Sequence, residues 1–183
     1  MILYVNGCVR TESRTHKIAK ALLEKLGGVY TEVSPIGEHI MPVDEETLNR
    51  RIALLEQGDF SHPDFRYARQ FAEADTIVMS APYWDFSFPA AIKSYIEAVC
   101  VAGIAFRYTE DGYPVGLCRA KKLYYVTTAG GPYVPDFSYN QVGALATQYF
   151  GIPETELIVA ENLDIDGVDA DGVVEGIIRK ILA

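Results

Sequence analysis

Cysteine is scarce in this 183-residue chain, and the three present, Cys8, Cys100 and Cys118, form no C-x-x-C pair. An odd count at irregular spacing argues against a disulfide framework or a zinc knuckle, and it predicts a reducing compartment. Histidine is as rare. His16, His39 and His62 lie at no metal-ligand spacing, and His16 is expected to be solvated on the first helix. Basic residues are in deficit: 16 lysines and arginines against 25 aspartates and glutamates give a formal net charge of -9. Such a surface repels nucleic acid and anionic membranes, so neither is an expected partner. A local basic site for one phosphate group stays open.

Long hydrophobic runs are absent too, so no membrane-spanning helix is expected. The opening M-I-L-Y-V-N-G has neither a cationic leader nor a small-residue cleavage site. No signal peptide is therefore expected, and the cytoplasm is the expected location. There is no internal repeat, linker or low-complexity tract, and a single domain over residues 1–183 is expected. Two phosphate-binding signatures are missing: neither G-x-x-x-x-G-K-[ST] nor G-x-G-x-x-G occurs.

What the chain has in plenty is apolar residues, 49% of the total, enough for a substantial core. Short apolar runs alternate with segments of helical period. Strands are expected at residues 2–5, 29–33, 76–80, 122–128 and 157–161. Helices are expected at 13–26, 44–57, 62–74, 88–103, 136–150 and 169–182, with Gly27-Gly28 stopping the first. Strands alternating with helices imply right-handed crossovers and a parallel sheet covered on both faces. The expected fold is α/β, a three-layer doubly wound domain with five parallel strands. Ligands of such folds sit at the carboxyl ends of the strands, beside the switch in strand order.

The loops after the first, third and fourth strands carry unusual chemistry. N-G-C-V-R-T-E-S-R-T places Arg10, Ser13, Arg14 and Thr15 at a helix start, where free amides, hydroxyls and guanidinium groups suit a phosphate. An ordinary N-cap with solvated arginines explains that loop equally well. A-P-Y-W-D-F-S-F-P offers aromatic faces from Tyr83, Trp84 and Phe86 around Asp85. A hydrophobic cluster under a loop is its plainer explanation. T-T-A-G-G-P-Y pairs two glycines that let backbone approach a ligand closely, or simply turn the chain. Together the three loops would hold a phosphate, a flat ring and the polar edge of that ring, which are the parts of flavin mononucleotide (FMN). A cysteine phosphatase built on Cys8 with Arg10 or Arg14 is set aside because the C-x5-R spacing of that chemistry is read as absent. So is a calcium loop in D-I-D-G-V-D-A-D-G, residues 164–172, which is read as a solvated acidic turn.

The segments P-Y-W-D-F-S-F-P-A-A-I-K-S-Y-I-E, G-I-A-F-R-Y-T-E-D-G-Y-P-V-G-L and K-K-L-Y-Y-V-T-T-A-G-G resemble the flavodoxin-like NAD(P)H:quinone reductase and azoreductase family. The resemblance implies a flavodoxin-like fold with strand order 2-1-3-4-5. It implies FMN as cofactor, held by Cys8, Arg10, Ser13, Arg14 and Thr15 at the phosphate, by Pro82, Tyr83, Trp84, Asp85 and Phe86 along the ring, and by Thr128, Ala129, Gly130 and Gly131 at the pyrimidine side. Trp84, Phe86, Phe106, Tyr108 and Tyr133 are the implied substrate-pocket residues. Members are typically homodimers with the flavin near the interface, which would bring the 106–108 region toward the partner's site. Two positions depart from the pattern: Asp85 stands where asparagine is common, and Ala129 where some members have arginine.

The resemblance implies an FMN-dependent oxidoreductase that uses NADH or NADPH to reduce quinones, or azo or nitroaromatic compounds. Hydride would pass in ping-pong fashion through flavin N5, with no protein residue as catalytic acid or base. A non-enzymatic flavodoxin-type electron carrier is the alternative, and a flavin-free interaction domain on the same fold is a third.

Overall fold

Five strands form one parallel sheet in the computed structural model, which describes residues 1–183. They are β1 (Ile2–Asn6), β2 (Tyr30–Val33), β3 (Thr76–Ser80), β6 (Lys122–Thr128) and β7 (Glu154–Ala160). Their spatial order is β2-β1-β3-β6-β7, which is 2-1-3-4-5 when only the strands of this sheet are counted. Pairing is in parallel register throughout, with Ile2 opposite both Tyr30 and Thr76, and Thr76 opposite Lys122. The expected fold class and order are thus those observed.

The sheet is covered on both faces because its central strands are apolar on both. On one face, Tyr4, Val78 and Val126 pack under α1 (Arg14–Lys25) and α6 (Ala170–Leu182) through Ile18, Leu22, Leu23 and Val174. On the other, Leu3, Val5, Ile77, Met79, Leu123 and Tyr125 meet α3 (Arg66–Glu73), α4 (Ala90–Val99) and α5 (Tyr139–Ala144) through Phe71, Ile92, Tyr95 and Val142. The remaining helix, α2 (Glu45–Glu56), buries no residue fully and leaves Leu48 and Ile52 exposed. No helix is long and apolar enough to cross a membrane.

Local chemistry sets the ends of α1. Ser13 caps its start, its hydroxyl accepting from the His16 amide. Leu26 ends it in a Schellman arrangement: Gly28 N–H donates to Leu23 O and Gly27 N–H to Glu24 O, with both glycines at positive φ.

Several expected bounds move. The helix expected at 88–103 spans only Ala90–Val99, because Pro89 sets its start and the chain then turns tightly, Ile104 N–H donating to Val101 O. The helix expected at 136–150 begins at Tyr139 and widens into a π-helical turn over Leu145–Tyr149. The fifth sheet strand starts at Glu154, three residues before the expected position. A small antiparallel hairpin, β4 (Phe106–Tyr108) and β5 (Pro114–Gly116), has no counterpart among the expected elements. It is anchored at Gly116, where a β-carbon would collide with the Phe150–Gly151 backbone.

Candidate functional site

The chain leaves β1 for the edge strand β2, then crosses back to β3, so the switch point lies between β1 and β3. A cleft of about 430 Å³ opens at this end of the sheet. Arg10 and Ser13 before α1 and Arg14 and Thr15 in its first turn line it, together with Pro82, Tyr83 and Trp84 after β3 and Thr128, Ala129 and Gly130 at and after the end of β6. The structure therefore gathers most of the expected site residues into one concavity.

Two hydrogen bonds knit these loops. Thr15 and Thr128 share one between their hydroxyls at 2.7 Å. Tyr83 N–H donates to Thr128 O at 3.0 Å. The first-turn amides of α1 have no partner within the helix and form the positive end of its dipole, the natural seat for an anion. Arg10 makes no ion pair and is exposed.

The aromatic loop is a tight two-residue turn. Trp84 and Ser87 exchange both backbone hydrogen bonds, at 3.0 and 2.7 Å, and the residues between them, Asp85 and Phe86, have φ of 51 and 63. That is the geometry of a primed hairpin turn, which glycine and asparagine favour and phenylalanine does not. The turn holds Phe86 62% and Trp84 43% exposed, whereas Phe88 is buried in the core. Backbone strain and exposed aromatic surface coincide in this turn. The Ser87 hydroxyl donates to Phe137 O at 2.7 Å, so a further exposed aromatic, Phe137, is tied to the same rim.

Other expected residues stand elsewhere. Cys8 is absent from the cleft lining: its thiol is 3.6 Å from the Ser80 hydroxyl, which also contacts the Tyr4 hydroxyl at 2.9 Å. Tyr4 in turn meets His16 Nδ1 at 2.9 Å. His16 is thus part-buried rather than solvated, and burial lowers its pKa. Burial pushes the Cys8 thiol pKa up, partly offset by the Ser13 and Ser80 hydroxyls. Phe106 lies in the core against Tyr149, with ring centroids 5.1 Å apart, and Tyr108 is exposed on the hairpin. Neither lines the cleft. Tyr133 packs edge-on against Tyr83 at 4.8 Å, and its hydroxyl contacts Ser138.

Five residues do separate Cys8 from Arg14, so spacing alone gives no ground for setting a cysteine phosphatase aside. The geometry gives one. The thiol is directed to Ser80 in a part-buried place that disfavours the thiolate, and Arg14 is directed to carboxylates.

Residues 164–169 are the exposed acidic turn expected before the last helix, and two carboxylates of the 164–172 stretch nevertheless reach Arg14. Asp164 and Leu163 line the cleft. The chain after β7 runs back along the glycine loop, with Leu163 N–H donating to Ala129 O, Asp164 N–H to Gly130 O and Asn162 N–H to Gly131 O. Arg14 Nη1 is 3.2 Å from Asp164 Oδ1, and its Nε is 3.9 Å from Asp171 Oδ1. An acidic stretch beside a turn carries no sequence signal that two of its carboxylates face Arg14.

The donor set fits a phosphorylated ring compound. The α1 N-terminus and Arg10 suit the phosphate, and the faces of Tyr83 and Trp84 suit a ring. Gly131 has open space where a β-carbon would stand. The Tyr83 hydroxyl and Thr127 Oγ1 are buried without partners, polar groups for which no protein acceptor or donor is supplied.

Comparison with known sequences decides the family. The family model described as "Flavodoxin-like fold" matches residues 1–183. An FMN-dependent NADH:quinone oxidoreductase 2 of Clostridium acetobutylicum is 35% identical over 98% of this chain and 94% of its own length. The chain belongs to the flavodoxin-like FMN-dependent NADH:quinone oxidoreductase family. Solved structures agree on the fold. An azoreductase from Bacillus anthracis superposes with a TM-score of 0.82 at 22% identity, covering 99% of this chain and 96% of that one. An FMN-dependent NADH-azoreductase from the same species, in complex with FMN, gives 0.79 at 20% identity, covering 99% and 95%.

Proposed function

We propose that this protein is an FMN-dependent oxidoreductase that oxidises NADH and reduces quinones and azo compounds. The observation that carries the reading is the meeting, at one switch-point cleft, of an anion-binding helix start, the aromatics Tyr83 and Trp84 at the edge of a strained turn, and the glycine loop through Gly130. NADH is assigned as the reductant because the relatives are named as NADH:quinone oxidoreductases.

Bound FMN supplies reversible two-electron chemistry, so one pocket serves reductant and acceptor in turn. The chain's own contributions are binding and positioning. Arg10, Ser13, Arg14 and the first turn of α1 hold the phosphate. Pro82, Tyr83, Trp84, Asp85 and Phe86 line the ring, and Thr128, Ala129, Gly130 and Gly131 approach its polar edge. Amides of that loop are placed to stabilise negative charge there. At Asp85 the backbone serves as the contact, because a carboxylate lacks the donor that an asparagine side chain provides. Trp84, Phe86 and Phe137 present exposed aromatic faces on which a nicotinamide, a quinone or an azo compound stacks. Nitroaromatic compounds offer the same flat, electron-poor surface and belong to the proposed acceptor range.

We also infer a homodimer. The outer face of α2 exposes Leu48 and Ile52 beside a groove of about 310 Å³ that Val43, Leu55 and Val101 also line. Light scattering of the purified protein tests this: a mass twice the 20.3 kDa chain supports it and a single-chain mass refutes it.

A spectrum of the flavin-loaded protein tests the activity. Bands that bleach with NADH and return with quinone support the reductase. Bands that need a protein donor before they bleach indicate an electron carrier instead.

A further inference from the structure

The cleft is unusually balanced for one that is to receive a phosphate. Arg10 and Arg14 bring two positive charges, and Glu12 and Asp164 bring two negative ones. Asp164 has its carboxylate 75% exposed, but its backbone is held in place. Its amide donates to Gly130 O at 2.9 Å, and its carboxylate lies where a β-carbon on Gly130 would collide with it. The residue is pinned to the glycine loop, and from there it reaches Arg14 at 3.2 Å. Asp171, at 3.9 Å from the guanidinium Nε, adds a weaker hold.

A guanidinium has a limited set of donors, and one facing a carboxylate has fewer to give a phosphate. A carboxylate in the same cleft also repels a phosphate dianion. Both effects act on the phosphorylated ligand and leave a ligand without phosphate untouched.

We propose that Asp164 is a positioning residue that competes with the cofactor's phosphate for Arg14 and thereby sets how tightly, and how selectively over riboflavin, the cleft retains FMN. The proposal rests on the FMN reading above. Arg14 sits on the first turn of α1 and Asp164 on the loop after β7, so the pair bridges the two outer walls of the cleft. When the phosphate arrives, Arg14 divides its donors between the two anions. Because Arg14 is part-exposed and the Asp164 carboxylate mostly exposed, the effect is modest and salt-sensitive.

The test titrates apoprotein with FMN and, separately, with riboflavin, following flavin fluorescence at low salt and again at about 0.5 M NaCl, where screening is strong. Asp164→Asn keeps the shape and the backbone anchor and removes the charge. It is expected to bind FMN roughly three- to fivefold tighter at low salt, the size of effect an exposed ion pair carries. That gain shrinks at high salt, and riboflavin affinity does not change. Asp164→Glu, which keeps the charge, stays near wild type. Arg14→Gln loses FMN affinity and keeps riboflavin affinity. Equal loss of both flavins in Asp164→Asn makes the residue a mere loop strap and overturns the proposal, as does no change in either. A wild-type protein that binds neither flavin overturns the FMN reading itself, and the proposal with it.

Discussion

Thr15 on the first turn of α1 and Thr128 at the end of β6 share a hydroxyl hydrogen bond of 2.7 Å across 113 residues of sequence. The bond joins the proposed phosphate wall to the glycine loop, so the two walls cannot drift apart independently. Thr15 is 1% exposed, and an unpaired hydroxyl there has no water to turn to.

Thr15→Val therefore destabilises the apoprotein by about 1 kcal/mol. Thr128→Val does the same, and the double variant loses less than the sum of the two, because the second change removes an already orphaned hydroxyl. Urea denaturation of the four proteins measures this. Strict additivity would mean that the two hydroxyls act separately.

Phe86 occupies the left-handed region at φ 63 with its ring 62% exposed, so its conformation is strained while its burial contributes little. Phe86→Gly is expected to stabilise the apoprotein by up to about 1 kcal/mol. It is also expected to raise the KM for quinone, since the aromatic face is gone. Thermal melts and steady-state kinetics separate the two effects. A less stable variant with unchanged KM would assign the ring a packing role instead.

The fold was largely legible because parallel-sheet strands read as apolar runs and their helices as 3.6-residue periods. Ile2–Asn6, Thr76–Ser80 and Lys122–Thr128 follow the expected bounds to within a residue. Three-residue strands show no period, which hid the hairpin around Gly112. The π-helical turn at Leu145–Tyr149 has no residue signature of its own. At the site, hydroxyls, glycines and aromatics after strands were visible as unusual chemistry. Asp164 was not, because its role comes from the backbone ladder to Gly130 and Gly131, which pairs residues about thirty apart in sequence. Cys8 and His16 were misplaced for a related reason: their hydrogen bonds run through Tyr4 and Ser80, neighbours only in the folded sheet.

Gly131 has nothing within contact distance of the place a β-carbon would take, and its φ is not in the positive range. Gly131→Val should fold with an unchanged apoprotein melting temperature and yet lose FMN, because the side chain fills space that the ligand takes. Gly130→Val differs: it meets the Asp164 carboxylate and lowers the melting temperature as well. Stoichiometric FMN retention by Gly131→Val would contradict the assigned position.

His16 carries a pKa lowered first by burial, partly offset by Glu32 and pushed further down by Lys20. The neutral ring is therefore favoured in the folded state. Its contribution to stability is present above the unfolded value of about 6.5 and is lost as pH falls through the lower folded value. Apoprotein stability should decline on acidification from about pH 6.5, before most carboxylates titrate, and the decline should flatten in His16→Gln. An identical pH profile in that variant would show that His16 does not drive the decline.

An anaerobic absorbance titration of the FMN-loaded protein, first with NADH and then with a quinone, bears on the assigned activity without intermediaries. NADH alone is expected to bleach the flavin bands, and quinone to restore them. Bands that persist through excess NADH would contradict the assignment.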